Sequence, residues 1–95
     1  MKREVRLFAN LRELAGEKSV VEDASSGASV GDVLQKICDR FGAKLREQVL
    51  DSGGQPSESV KVLLNGQNIT FLQGTATKLK DGDVMAIFPP VGGGS

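Results

Sequence analysis

The residues best placed to do chemistry stand together near the end of the sequence, in Phe88-Pro89-Pro90-Val91-Gly92-Gly93-Gly94-Ser95. Two prolines stiffen the exit from the preceding segment into an extended path, and three glycines then remove every side chain. From Pro89 to Gly94 such a strip spans at most about 20 Å, a thin tip able to enter a tunnel in another protein that rejects bulkier residues. Its reactive group would be the terminal carboxylate. Glycine runs also cradle phosphate, but that use needs a following helix, usually opened by Gly-Lys-Ser/Thr, and here the chain stops instead. A Gly-Gly-Gly-Ser ending is also what a flexible linker looks like. On these residues alone a functional terminus and a bland flexible end both stand.

Other chemistry is largely excluded by composition. The 95 residues contain no histidine and one cysteine, Cys38, which removes Ser-His-Asp and Cys-His triads, histidine acid–base catalysis and Cys/His zinc sites. Cys38 could serve as a redox thiol or a thioester acceptor, but it falls on an apolar helical face, and an inert packing residue is expected. No disulfide can form within the chain, which fits a reducing compartment. Asp81-Gly82-Asp83 lacks the remaining ligands of a calcium loop and reads as a tight turn, so no metal is expected. Twelve basic and twelve acidic residues give a net charge of zero, arguing against nucleic acid or an anionic membrane as partner. The opening Met1-Lys2-Arg3-Glu4 leads into no apolar stretch of signal-peptide length, and the longest apolar run, 84–88, is far short of the roughly 20 residues of a membrane span. A cytoplasmic protein is expected.

The elements that must position the tail follow from periodicity. Val5, Leu7 and Ala9 alternate with Glu4, Arg6 and Phe8, the pattern of a half-buried strand over 4–9. Asn10 offers a helix cap, and Leu11 and Leu14 before Gly16 predict one helical turn closed by glycine. A second short strand is expected over 18–22, then a loop over 24–28. Val30, Val33, Leu34, Ile37, Cys38 and Phe41 recur at spacings of three and four, making one apolar helical face. Ser29 and Asp32 resemble a capping box, and Gly42 supplies the stop. Asp32, Lys36, Asp39 and Arg40 read as the solvated face of this helix. Leu45, Val49 and Leu50 extend its apolar surface as another turn, and residues 51–59 form a polar loop.

Strand character returns over 60–64, and Asn65-Gly66 predicts a tight hairpin with Ile69 on the returning strand. Phe71-Leu72 before Gly74 suggests a turn packed on the core. The last strand, 84–88, is stopped by Pro89-Pro90, and its near-continuous apolar stretch fits a central position. Strands before and after one apolar-faced helix suggest an α+β fold, the ubiquitin-like β-grasp, with a mixed sheet packed on one main helix. Residues 1–90 form the domain in this reading and 91–95 a flexible glycine-rich tail.

Several ordered motifs resemble the MoaD/ThiS family of ubiquitin-like sulfur carriers. They are Leu7-Phe8-Ala9, Leu11-Arg12-Glu13-Leu14-Ala15-Gly16, Leu64-Asn65-Gly66, and Leu79-Lys80-Asp81-Gly82-Asp83-Val84 leading into Phe88-Pro89-Pro90-Val91-Gly92-Gly93. The resemblance covers nearly the whole length. The segments 68–72 and 86–90 lean towards the small archaeal ubiquitin-like modifier branch. It implies that a ubiquitin-activating-type adenylating enzyme uses ATP to activate the terminal glycine carboxylate. A sulfur donor then makes a thiocarboxylate, for molybdopterin or tRNA thiolation, or a target-protein lysine attacks to give an isopeptide bond. The chain would bind no cofactor and would be a carried substrate with no catalytic residue of its own, or the small subunit working with a molybdopterin synthase large subunit. The family ends in Gly-Gly, whereas this sequence continues through Gly94 to Ser95. Either Ser95 is removed, or it is an appended residue, or this form is not activated. The pair falls at Gly92-Gly93 or Gly93-Gly94, with Gly94 favoured as the reactive end.

Strand parity sets Phe8 and Phe88 opposite the core-facing residues. If the first and last strands pair, the two rings lie together and, with Pro89, Pro90 and Val91, form an apolar docking patch beside the tail. The stems of Lys2 and Arg6 or a loop could instead cover them. Lys18, Lys61 and Lys80 could accept modifier chains, and nothing singles one out. The competing reading is a β-grasp protein–protein interaction module whose tail is a non-reactive tether.

Overall fold

The structure is a computed structural model and describes residues 2–23 and 27–89. Its strands are β1 (Lys2–Leu7), β2 (Ser19–Asp23), β3 (Lys61–Leu64), β4 (Gln67–Asn68) and β5 (Val84–Phe88). Its helices are α1 (Asn10–Ala15), α2 (Val30–Phe41) and α3 (Ala43–Val49), and two 3₁₀ turns, Ile69–Phe71 and Gly74–Ala76, join β4 towards β5. The sheet runs β2-β1-β5-β3-β4, with β1 and β5 parallel and the other neighbours antiparallel. This is the mixed sheet expected, with the apolar last strand at its centre. The expected domain boundary at residues 90 and 91 lies outside the described residues.

The core forms where strand and helix periods meet. Val5 and Leu7 of β1, Val62 and Leu64 of β3, and Met85 and Ile87 of β5 alternate into the same face. Against them α2 sets Val30, Val33, Leu34, Ile37 and Cys38, all buried, while Phe41 is half-buried at its end. Each fully buried aliphatic side chain contributes about 1.5–3 kcal/mol, so this contiguous cluster dominates the stability. The capping box at the head of α2 is complete: the Asp32 N–H donates to Ser29 Oγ at 3.2 Å, and the Ser29 N–H donates to the Asp32 carboxylate at 2.9 Å. Gly42, at φ 94°, ends the helix by donating its N–H to the Cys38 carbonyl. The extra turn expected after it is α3, burying Leu45 and Val49.

At the hairpin, Asn65 and Gly66 both take positive φ, 51° and 84°, as a two-residue turn between antiparallel strands requires. The acidic turn is tied into the fold. Asp81 accepts from the Lys2 N–H at 2.8 Å, and Asp83 accepts from the Lys80 N–H and the Asn65 amide. Among the described residues no group of three or more His, Cys, Asp or Glu could hold a metal, and no helix is long and apolar enough to cross a membrane.

Several local expectations are corrected. The first strand ends at Leu7, and Ala9 is exposed outside it, at φ 52° and ψ −131°. Ala9, not Asn10, takes the cap position of α1, with no side-chain capping bond, because the chain must reverse between Phe8 and Leu11. Arg3 shares the inward face of β1 with Val5 and Leu7 and is 1% exposed, its guanidinium donating to the Leu79 carbonyl at 3.2 Å. The returning strand stops at Asn68, whose side-chain oxygen accepts from the Thr70 N–H and starts a 3₁₀ turn. Ile69 therefore anchors a turn and not a strand. Phe71 is 80% exposed, so only Leu72 of that pair packs on the core.

Candidate functional site

Because β5 runs parallel to β1, both strands deliver their ends to one edge of the sheet, with Leu7 beside Ile87. The next residues, Phe8 and Phe88, meet there as expected: their rings stack with centroids 4.3 Å apart and planes 14° from parallel. Both are half-buried. Such a pair is worth about 0.5–1.5 kcal/mol beyond its buried area and ties the end of β5 to the end of β1. Pro89 follows, also half-buried. Pro90, Val91, Gly92, Gly93 and Gly94 lie outside the described residues.

The reversal after Phe8 shapes the rest of the corner. The Leu11 N–H donates to the Phe8 carbonyl at 3.1 Å and the Arg12 N–H to the Ala9 carbonyl at 3.0 Å. This folds α1 back, so that the side chain over Phe8 is Arg12, its guanidinium 5.8 Å from the ring centroid and its Nε donating to the Leu7 carbonyl at 3.4 Å. That is within reach of a cation–π attraction. Beside it, Arg6 Nε lies 2.6 Å from a Glu4 carboxylate oxygen. Glu4, Arg6, Phe8, Arg12, Lys18 and Ser19 line an open cleft of about 300 Å³. Sequence reasoning named Arg12 only within a motif. Its place over Phe8 depends on the reversal at Ala9, outside the helical spacing that sequence reading can use.

A larger groove of about 450 Å³ lies against Pro56, Val60, Val62 and Ile69 and shares no residue with this corner. Cys38 is 1% exposed, and burial pushes its thiol pKa up, away from the reactive thiolate.

A five-stranded mixed sheet packed on one long amphipathic helix, whose central last strand leads into a glycine-rich ending, defines a ubiquitin-like β-grasp protein. The chain matches the ThiS family over residues 5–94 and belongs to it, as its motifs led us to expect. It is 39% identical over 94 residues to small archaeal modifier protein 3 of Haloferax volcanii, covering 99% of this chain and 100% of that one. To the sulfur carrier protein CysO of Mycobacterium tuberculosis it is 32% identical over 81 residues, 83% of each chain. Among solved structures, SAMP1 of Haloferax volcanii superposes with a TM-score of 0.85 at 33% identity, covering 99% of this chain and 100% of that one. A chain of the Amycolatopsis orientalis BexX/CysO complex gives 0.77 at 28% identity, over 97% and 99%.

Proposed function

We propose that this protein is a ubiquitin-like carrier and modifier, a substrate carried by other enzymes, whose terminal glycine carboxylate is activated and then passed to sulfur or to an amine. The observation that carries the reading is the parallel pairing of β1 with β5, which sets the Phe8–Phe88 stack at the point where the chain departs towards Pro89-Pro90-Val91-Gly92-Gly93-Gly94. The family and the carrier and modifier names of its relatives support it.

A carboxylate is a poor electrophile, so activation comes first. In the proposed cycle an oxygen of the Gly94 carboxylate, freed by loss of Ser95, attacks the α-phosphorus of ATP on a ubiquitin-activating-type enzyme. Pyrophosphate leaves and a mixed anhydride with AMP remains. A hydrosulfide-level sulfur nucleophile then attacks the carbonyl and expels AMP, leaving a thiocarboxylate for thiolation of molybdopterin or tRNA. A lysine amine attacking the same carbonyl, with loss of a proton and AMP, gives the isopeptide bond of a protein conjugate. The carrier supplies reach and a docking patch of Phe8, Phe88, Pro89, Pro90 and Val91. The enzyme supplies catalysis, and a molybdopterin synthase large subunit is one candidate recipient. The BexX/CysO complex supports the idea that such carriers work by docking on partner proteins.

The test is intact-mass measurement on protein ending at Gly94 after incubation with the activating enzyme, ATP and a sulfur donor. Replacement of one carboxylate oxygen by sulfur supports carriage, adducts on lysines of other proteins support modification, and an unchanged mass returns the protein to a tethered interaction module. In the same assay Phe88→Asp should slow activation by about tenfold through weaker docking while the fold persists. Unchanged activation, or global unfolding, contradicts the docking patch.

A further inference from the structure

We infer that the cationic corner beside the tail exit, Arg12 with Arg6 and Lys18, seats a carboxylate-bearing loop of the protein that activates the tail. The inference rests on the activation proposed above and names the chemistry of the surface the partner brings.

Three observations converge on it. Ala9 sits at φ 52° and ψ −131°, a conformation that disfavours any L-residue by about 1–3 kcal/mol, yet it is exposed and fills no space in the core. What the reversal achieves is to carry α1 back across the end of β1 and lay Arg12 over Phe8. Secondly, three cations and one carboxylate line this cleft, although the whole chain is neutral. Glu4 is engaged with Arg6, while among the described residues Arg12 and Lys18 form no ion pair. Thirdly, the Arg12 guanidinium is placed 5.8 Å from the Phe8 ring centroid with its Nε on the Leu7 carbonyl, and the planar fork of a guanidinium is the donor set that suits a carboxylate.

The phosphates of ATP are the less fitting occupant. They react at the tip of the tail, up to about 20 Å from Pro89 when the chain is extended, whereas the corner flanks the exit itself. A partner that swallows the tip must lay its surface against the exit. A local excess of positive charge there selects an acidic surface and speeds the encounter.

The experiment is ATP–pyrophosphate exchange by the activating-type enzyme from the same genome, with the full chain ending at Gly94 as substrate. Arg12→Glu should raise the KM for the carrier about tenfold or more and leave kcat within about twofold. Arg12→Lys should fall between, keeping the charge but losing the fork, and Lys44→Glu, the same charge change on α3, should match the wild type. The wild-type KM should also climb with salt more steeply than that of Arg12→Glu. A KM for Arg12→Glu within about twofold of wild type, or an equal rise for Lys44→Glu, overturns the inference. So does binding of AMP to the free carrier with chemical-shift changes centred on Arg12. Exchange that ignores Arg12 overturns this inference alone, whereas no exchange with the wild type overturns the proposed function and this inference together.

Discussion

At Ala9 the chain adopts a backbone shape that glycine takes freely and alanine resists, and no side-chain packing compensates, because the methyl is exposed. Ala9→Gly should therefore raise the free energy of unfolding by about 1 kcal/mol, the relief of strain outweighing the added freedom of the unfolded chain. Urea unfolding checks it, and a loss of stability contradicts the assignment of strain. Cys38 is the opposite case, a residue whose chemistry is suppressed by its surroundings. Burial raises its pKa, so thiolate is scarce at neutral pH, and the side chain is 1% exposed. Labelling by a thiol reagent should proceed only as fast as the protein opens, and prompt labelling of the native protein would be inconsistent with this packing.

Among the elements, α2 carries the clearest local logic. Ser29→Ala should cost about 1 kcal/mol through the lost cap, measured as a lower unfolding midpoint. Hydrogen bonds from the Ser29 backbone and side chain hold the Asp32 carboxyl below its ordinary value of 3.8. A group with a depressed folded pKa stabilises fully above the unfolded value and loses that contribution as pH falls through the folded one. The advantage of wild type over Asp32→Asn should thus be complete near neutral pH and shrink below about pH 4, and a pH-independent gap would contradict the box. This helix was legible because its apolar spacing, its cap and its glycine stop agree. The centre of the sheet was legible from the apolar run of β5, and the hairpin from Asn65-Gly66. Elsewhere tertiary demands outweighed local preference. Arg3 has the parity of Val5 and Leu7, but local sequence does not show the distant Leu79 carbonyl that its buried guanidinium reaches. In Phe71-Leu72 both residues are apolar, and hydrophobicity alone does not tell that the leucine goes inside and the phenylalanine outside. The meeting of Phe8 and Phe88 followed from parity once the first and last strands were paired. Arg12 over that stack depended on the Ala9 reversal, for which alanine gives no signal.

Across the whole molecule, the proposed function divides between the packed body and the glycine-rich ending of the sequence. Removing residues 92–95 should leave the thermal unfolding transition essentially where it is and abolish the proposed activation, because among the described residues the buried core ends at Ile87. A marked drop in the transition would mean that the strip braces the body, and activation surviving the truncation would end the carrier proposal. The placement of β5 has a further bearing on biosynthesis. This strand joins β2-β1 to β3-β4, and a nascent polypeptide without it holds only two separate two-stranded pieces, each marginal in water. The pairings that join the two halves of the sheet must wait for residues 84–88 to emerge. Translation that aborts before β5 then yields a species open to proteolysis, so under the proposed function the cell is spared a folded counterfeit that would occupy the activating enzyme with nothing to hand over.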